Sequence, residues 1–196
     1  MLQQTQVSRV LDYWQRFLER FPTLESLAAA RERQVLAQWS GLGYYARARN
    51  LHKLSKAVVR EGAGAWGDAP SATPPLAADG TASLLPAEAA QLRRLPGIGA
   101  YTAGAVSTFA FERRAALVDT NVARVLTRVF APRLQPKRAR DQKAIWALAE
   151  ATLPRTGSAT WTHNQALMEL GALVCTARVK RCGACPVHSV CRSSER

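Results

Sequence analysis

The sequence predicts an all-α fold, and three observations predict it. Apolar residues recur at helical spacing along most of the chain, no segment alternates as a strand does, and the interruptions fall at Pro22, Gly41 and Pro96, between periodic segments. Val7, Val10, Leu11, Trp14, Phe17 and Leu18 follow i, i+3, i+4, i+7 spacing and read as one buried stripe on a first helix. Phe21-Pro22-Thr23 ends it, and Thr23 is placed to cap a short helix through Ala30. Val35, Leu36 and Trp39 begin another that stops at Gly41. A longer helix covers 46–59, with Leu51, Leu54 and Val58 on one face. Residues 62–86 are rich in Gly, Ala, Pro and Ser and read as a flexible surface insertion. Helical pattern resumes over 87–95, 101–111, 121–129, 139–153 and 162–174.

The 196-residue chain has 27 Lys and Arg against 14 Asp and Glu, a formal charge of +13. That excess favours a polyanionic partner such as nucleic acid, although an arginine-rich proteome would give the same composition. A hydrophobic content of 47% is too high for wholesale disorder. No apolar run approaches the ~18–20 residues that span a bilayer, so no membrane partner is expected. The N-terminus MLQQTQVSRVLDYWQRF is polar and amphipathic, unlike a secretory signal. The expected location is the cytoplasm or nucleoid, where thiols stay reduced.

Cys175, Cys182, Cys185 and Cys191 therefore call for a role other than disulfide formation. Four thiols within so short a tail read as one metal site. Zinc and an iron–sulfur cluster are the two options. Zinc sites usually show two short-spaced pairs, and here only Cys182 and Cys185 make one, so the spacing leans towards a cluster.

Leu95-Pro96-Gly97-Ile98-Gly99 lies between two expected helices. Gly97 and Gly99 permit positive φ and close backbone approach, and the next helix turns its N–H groups to the same place, a geometry suited to phosphate. The same pattern also serves a plain helix–helix turn. Asp119, after the apolar run 115–118, reads as a helix N-cap.

Four stretches point the same way: MLQQTQV at 1–7, GLGYYARARNL at 41–51, LPGIGAYTA at 95–103, and the four-cysteine tail. Together they resemble the helix–hairpin–helix DNA glycosylases that carry a [4Fe-4S] cluster, and within them the MutY-type adenine DNA glycosylases. The resemblance runs through nearly the whole chain. It implies two helical lobes with a DNA-binding cleft between them: a six-helix barrel with the hairpin at 1–116, and a cluster domain at 117–196. The implied reaction is hydrolysis of the N-glycosidic bond of adenine mispaired with 8-oxoguanine or guanine, with the adenine flipped out of double-stranded DNA. A monomer holding a [4Fe-4S] cluster on Cys175, Cys182, Cys185 and Cys191 is expected.

The resemblance also implies individual roles. Asp119 becomes the catalytic carboxylate that stabilises an oxocarbenium-like sugar, with Asn121 nearby. Gln3, Gln4 and Thr5 open the helix that touches the flipped base. Leu42, Gly43 and Tyr44 form the turn that wedges an aromatic beside the lesion. Leu95, Gly97 and Gly99 form the phosphate-gripping hairpin. Tyr101 stands where bifunctional relatives carry a nucleophilic Lys, which implies a hydrolase without lyase activity. Arg47, Arg49, Lys53 and Lys56, and separately Lys137, Arg138, Arg140 and Lys143, are basic patches open to phosphate or to solvent alone.

Two departures qualify the likeness. Thr120 follows Asp119 where the adenine branch usually has Gly, and Val118-Asp119-Thr120 is the form of endonuclease III relatives. The family's catalytic Glu falls ahead of the position matching Met1, so impaired cleavage is expected of the chain as written. A start placed too far downstream, or a fragment, accounts for that, and the family's 8-oxoguanine-reading C-terminal domain is likewise expected to be missing. A thymine or oxidised-pyrimidine glycosylase of the same superfamily, and a non-catalytic DNA-binding protein, are the alternatives.

Overall fold

The structure is a computed structural model that describes residues 1, 5–62 and 84–194. Among them nine α-helices form: α1 (Val7–Arg20), α2 (Leu24–Ala29), α3 (Glu32–Trp39), α4 (Tyr45–Glu61), α5 (Ala89–Leu92), α6 (Ala100–Phe109), α7 (Thr120–Phe130), α8 (Ala139–Ala151) and α9 (Gly157–Glu169). Extended pairing among the described residues is limited to an isolated bridge between Cys175 and Lys180. The fold is all-α, as the periodicity predicts. The 62–86 insertion falls almost entirely outside the described residues.

The chain divides into two compact units, Met1–Pro86 with Gln91–Ile98, and Ala87–Ala90 with Gly99–Arg196. In this division α6 and residues 111–118 count with the second unit, whereas the sequence reading carries the first domain to 116.

In the first unit, α1 packs on α3, while α2 and α3 pack on α4. Its core holds Val10, Phe17, Phe21, Leu27, Val35, Trp39, Leu42 and Ala48. The Phe17 ring meets Phe21 and Trp39 edge-on, at 5.1 and 5.9 Å between centroids. Thr23 caps α2 as expected: Ser26 N donates to Thr23 Oγ1, and Thr23 N donates to Ser26 Oγ. His52 is buried on α4, its Nε2 3.0 Å from the Ala30 carbonyl at the end of α2.

One expectation changes here. The apolar positions of α1 do not form a single buried stripe. Val10 and Phe17 are buried, but Val7, Leu11, Trp14 and Leu18 are 41–62% exposed. At 3.6 residues per turn the second set lies roughly 80° around the helix from the first. The apolar arc is wider than the core it faces.

In the second unit α7 is the hub, packing on α8, α9 and the π-helical turn Leu170–Val174 that continues α9. Leu117, Val122, Leu126, Ala149 and Leu153 form its core. Two glycines set the spacing. A Cβ at Gly104 of α6 would meet the Ala116 carbonyl, and one at Gly157 would meet the Glu112 carbonyl. Buried Asn164 donates to the Ala115 carbonyl at 3.0 Å, which ties α9 to the strand-like segment before Asp119.

Candidate active site

Asp119 is the N-cap of α7. Its extended backbone (φ −100°, ψ −174°) points the carboxylate back over the first turn, where Oδ1 accepts from Val122 N at 2.7 Å. The other oxygen, Oδ2, accepts from Asn121 Nδ2 at 3.1 Å. The side chain is half-buried, so it is neither lost in the core nor free in water. Tyr101, in the first turn of α6, is 37% exposed. Burial, and then the negative charge of Asp119, push its phenol above the ordinary tyrosine value. Tyr101 therefore stays protonated through the neutral range, a neutral donor beside an ionisable carboxylate.

Behind Asp119, Asn121 is itself held in place. Arg124, one turn along α7, donates to Asn121 Oδ1 and to the Gly171 carbonyl, both at 2.7 Å, and through Nε to the Cys175 carbonyl at 2.9 Å. Asn121 is thus oriented with its oxygen on Arg124 and its amide on Asp119. Gly171 admits this approach, since a Cβ there would stand 2.7 Å from Asn121 Cβ. A further turn along, Arg128 donates to the Thr176 carbonyl at 2.7 Å and lies 3.3 Å from Cys175 Sγ. The sequence analysis missed Arg124 and Arg128. Their signal was present in the i, i+4 spacing of two arginines on the helix that Asp119 caps.

The four cysteines border one hollow, together with Val125, Leu170 and His188. Among the described residues no three Cys, His, Asp or Glu side chains converge as ligands of a single ion. Four thiols around one hollow are the number of ligands that either tetrahedral zinc or an iron–sulfur cluster takes. Backbone turns frame the hollow: Cys185 N donates to the Cys182 carbonyl and Cys191 N to the His188 carbonyl, at 3.1 and 3.2 Å.

In the first unit, three of the four residues of the loop 41–44 have positive φ. Gly41, Gly43 and Tyr44 have φ of 93°, 75° and 51°. Tyr44 adopts the left-handed region without being glycine, a strained state that neighbours must hold. Arg9 donates to the Gly41 carbonyl at 2.5 Å, and Trp39 Nε1 donates to the Gly43 carbonyl at 3.1 Å. The Tyr44 ring is 61% exposed. Leu42 is buried in the core, so it anchors this loop and offers no side chain to a ligand.

The hairpin differs from expectation in one glycine. Gly97 has φ 76° and rests on Asn50 of α4, where a Cβ would come within 2.5 Å of Asn50 Cβ. Gly99 has φ −84° and serves as the N-cap of α6 with open space around it. Only Gly97 uses the left-handed region. Leu95 is buried and accepts from Ile98 N at 3.2 Å through its carbonyl, closing the turn.

Of the remaining expected residues, Thr5 accepts a hydrogen bond from Arg47 at 3.0 Å. Gln3 and Gln4 lie outside the described residues. The first basic patch is partly spent inside the protein: Arg47 turns towards Trp39 and Tyr44, and Arg49 pairs with Glu32 at 3.2 Å, while Lys53 and Lys56 stay exposed. Lys137, Arg138, Arg140 and Lys143 are all exposed. No helix among the described residues is long and apolar enough to cross a membrane.

Comparison with known proteins adds the following. Residues 1–150 match the family model described as HhH-GPD superfamily base excision DNA repair protein. The chain is 41% identical over 199 residues to the adenine DNA glycosylase of Rattus norvegicus, covering 100% of this chain and 34% of that protein. It is 43% identical over 193 residues to the adenine DNA glycosylase of Mycolicibacterium smegmatis, covering 98% of this chain and 57% of that one. The chain thus spans a third to somewhat over half of these relatives' length. Among solved structures, a thermostable thymine-DNA glycosylase aligns with a TM-score of 0.76 at 26% identity, over 98% of this chain and 79% of that one. A trapped endonuclease III–DNA intermediate shares the fold, with a TM-score of 0.71 at 22% identity over 98% and 79% of the two chains.

Proposed function

The chain belongs to the HhH-GPD superfamily of base excision DNA repair proteins, and on that premise we propose that it is a DNA glycosylase releasing adenine mispaired with 8-oxoguanine or guanine. One observation carries the reading: a half-buried carboxylate, Asp119, held at both oxygens, with its charge felt by a protonated phenol, Tyr101.

The chemistry follows from that pair. Breaking the bond between C1′ and the base leaves positive charge on the sugar while the electron pair departs with adenine. The Asp119 carboxylate meets that charge where it develops, and it needs no reorganisation because Val122 N and Asn121 already fix it. Water's oxygen ends on C1′, and one of its protons ends on the base. Tyr101 offers a neutral O–H and no amine, so the abasic sugar is released by hydrolysis without a Schiff base. Tyr44, exposed on its strained loop, is the wedge beside the extruded nucleotide, with Gln3, Gln4 and Thr5 touching the base. Gly97 and Gly99 bring the hairpin backbone close to a phosphate.

Cys175, Cys182, Cys185 and Cys191 would hold a [4Fe-4S] cluster. Bound there, it supplies iron–thiolate bonds that tie the loops of the tail into one body.

Single-turnover cleavage of duplexes carrying adenine opposite 8-oxoguanine, thymine opposite guanine, or thymine glycol tests the proposal. The expected result is base release from the first duplex alone, slow in this chain in keeping with the impaired cleavage expected from its sequence, and lost on Asp119→Asn. Release of thymine opposite guanine would favour the second reading, which Val118-Asp119-Thr120 and the likeness to the thymine-DNA glycosylase support. Mispair binding with no release from any duplex would leave a DNA-binding protein.

A further inference from the structure

Arg47 occupies an unusual place. It sits in the first turn of α4, where the helix dipole disfavours a cation, and that turn holds no acidic residue. Helix stability therefore does not explain it. Its guanidinium carbon stands 5.2 Å from the Tyr44 ring centroid and 5.6 Å from that of Trp39. Its Nη1 donates to the Met1 carbonyl at 2.6 Å, and its Nη2 donates to Thr5 Oγ1 at 3.0 Å and to the Gly43 carbonyl at 3.4 Å. One planar cation thus reaches the start of the chain, the carbonyl just before Tyr44, and the Tyr44 ring. Trp39 is almost wholly buried and gives the cation a rigid back wall, while its own Nε1 holds the same Gly43 carbonyl.

Resting on the glycosylase reading above, we propose that Arg47 is a positioning residue that locks the exposed Tyr44 wedge, the Met1 carbonyl and Thr5 into one unit, so that wedging and base contact are set together. The left-handed backbone of Tyr44 is held from two sides, by the hydrogen bond to the Gly43 carbonyl and by the cation on the ring. The fork geometry matters as much as the charge. Lysine brings a point charge that does not serve Met1, Thr5 and Gly43 at once. A phosphate-contacting arginine would behave differently. Its loss weakens binding to every duplex alike and lowers the salt slope by about one, and lysine largely restores it.

The test has two arms, each run on the full chain, on Arg47→Gln and on Arg47→Lys, with thermal melting followed by circular dichroism. In the free proteins, amide hydrogen exchange is followed for peptides covering 1–8 and 41–46. The expected result is faster exchange in both peptides for both variants, by tenfold or more, with peptides from α7 and α9 unchanged. Faster exchange in only one peptide, or in neither, overturns the proposal. Should Arg47→Gln melt too low for native exchange, Thr5→Val removes a single acceptor, and loosening of the 41–46 peptide is still required of it. In the second arm, affinity is measured against salt for a duplex with adenine opposite 8-oxoguanine and for a fully paired duplex. The expected outcome is a five- to tenfold loss of preference for the mispair, an unchanged salt slope, and no rescue by lysine. A uniform loss with a shallower slope, rescued by lysine, overturns it. A wild-type chain without mispair preference counts against the glycosylase reading, and the exchange arm then decides Arg47 by itself.

Discussion

Asp119 and Asn121 are joined side chain to side chain across the first turn of α7, amide donor to carboxylate at 3.1 Å, while the second carboxylate oxygen caps the helix at 2.7 Å. One oxygen thus caps the helix and the other meets Asn121, and two substitutions separate the cap from the negative charge. Asp119→Asn keeps an oxygen for Val122 N, whereas Asp119→Ala removes the cap, worth about 1 kcal/mol. Urea denaturation should place the alanine variant below the asparagine variant by about that amount. Both should lose base release by at least ~100-fold if the carboxylate stabilises the charged sugar.

Arg124 serves three backbone carbonyls, those of Thr120, Gly171 and Cys175, and Asn121 from one guanidinium. Replacing it with Met leaves the Gly171 carbonyl without its arginine donor in a half-buried setting, while the Cys175 carbonyl keeps Arg128 at 3.3 Å. A cost of about 1–3 kcal/mol follows. Denaturant midpoints for Arg124→Met and for an exposed control, Lys143→Met, measure it, and the control should stay within about 0.5 kcal/mol of the parent.

His163 carries a buried Nε2 with no hydrogen-bond partner, and burial lowers its pKa below the ordinary 6.5. In the unfolded chain the imidazole takes up a proton before the folded one does. Stability from this group is therefore present above pH 6.5 and lost as pH falls through the lowered folded value. The Tm between pH 7.5 and 5 should fall less for His163→Gln than for the parent, and parallel curves would refute the assignment.

The hairpin glycines are not equivalent. Gly97→Ala forces a side chain into the left-handed region and against Asn50, whereas Gly99→Ala meets open space at an ordinary φ. The first should lower the Tm by several degrees and the second by at most one or two, unless the small size of Gly99 serves phosphate approach. In that case Gly99→Ala weakens DNA binding with the Tm unmoved.

Anaerobically purified protein should be yellow-brown and hold four irons per chain, and Cys182→Ser should lose most of that iron. A colourless protein with one zinc per chain would refute the cluster.

Much of this was legible in the sequence because local rules decided it. Thr23 and Asp119 are caps by residue type and position, and both cap. The breaks at Pro22 and Gly41 fall where helices end. Other features depend on packing that periodicity does not encode. The stripe on α1 divides because its core takes in Val10 and Phe17, with Tyr13 packed against them, and leaves the other apolar positions outside. Charge alone leaves Arg47 and Arg49 open to phosphate or to solvent, yet ring faces and Glu32 take them first. Gly99 satisfies the motif but not the torsion, since a glycine permits positive φ without requiring it. The roles of Arg124 and Arg128 depend on carbonyls some 50 positions away in the sequence, at 47–51 residues' separation.

The four apolar side chains that α1 turns to water, Val7, Leu11, Trp14 and Leu18, give the protein an adhesive flank. Sulfate and other excluded salts strengthen such stickiness, while added ions of any kind loosen a grip on nucleic acid. The two tendencies therefore pull apart as ionic strength rises: complexes with a duplex thin out while clumping grows. Affinity for the helix and self-adhesion can be told apart in a single titration that follows anisotropy and light scattering side by side.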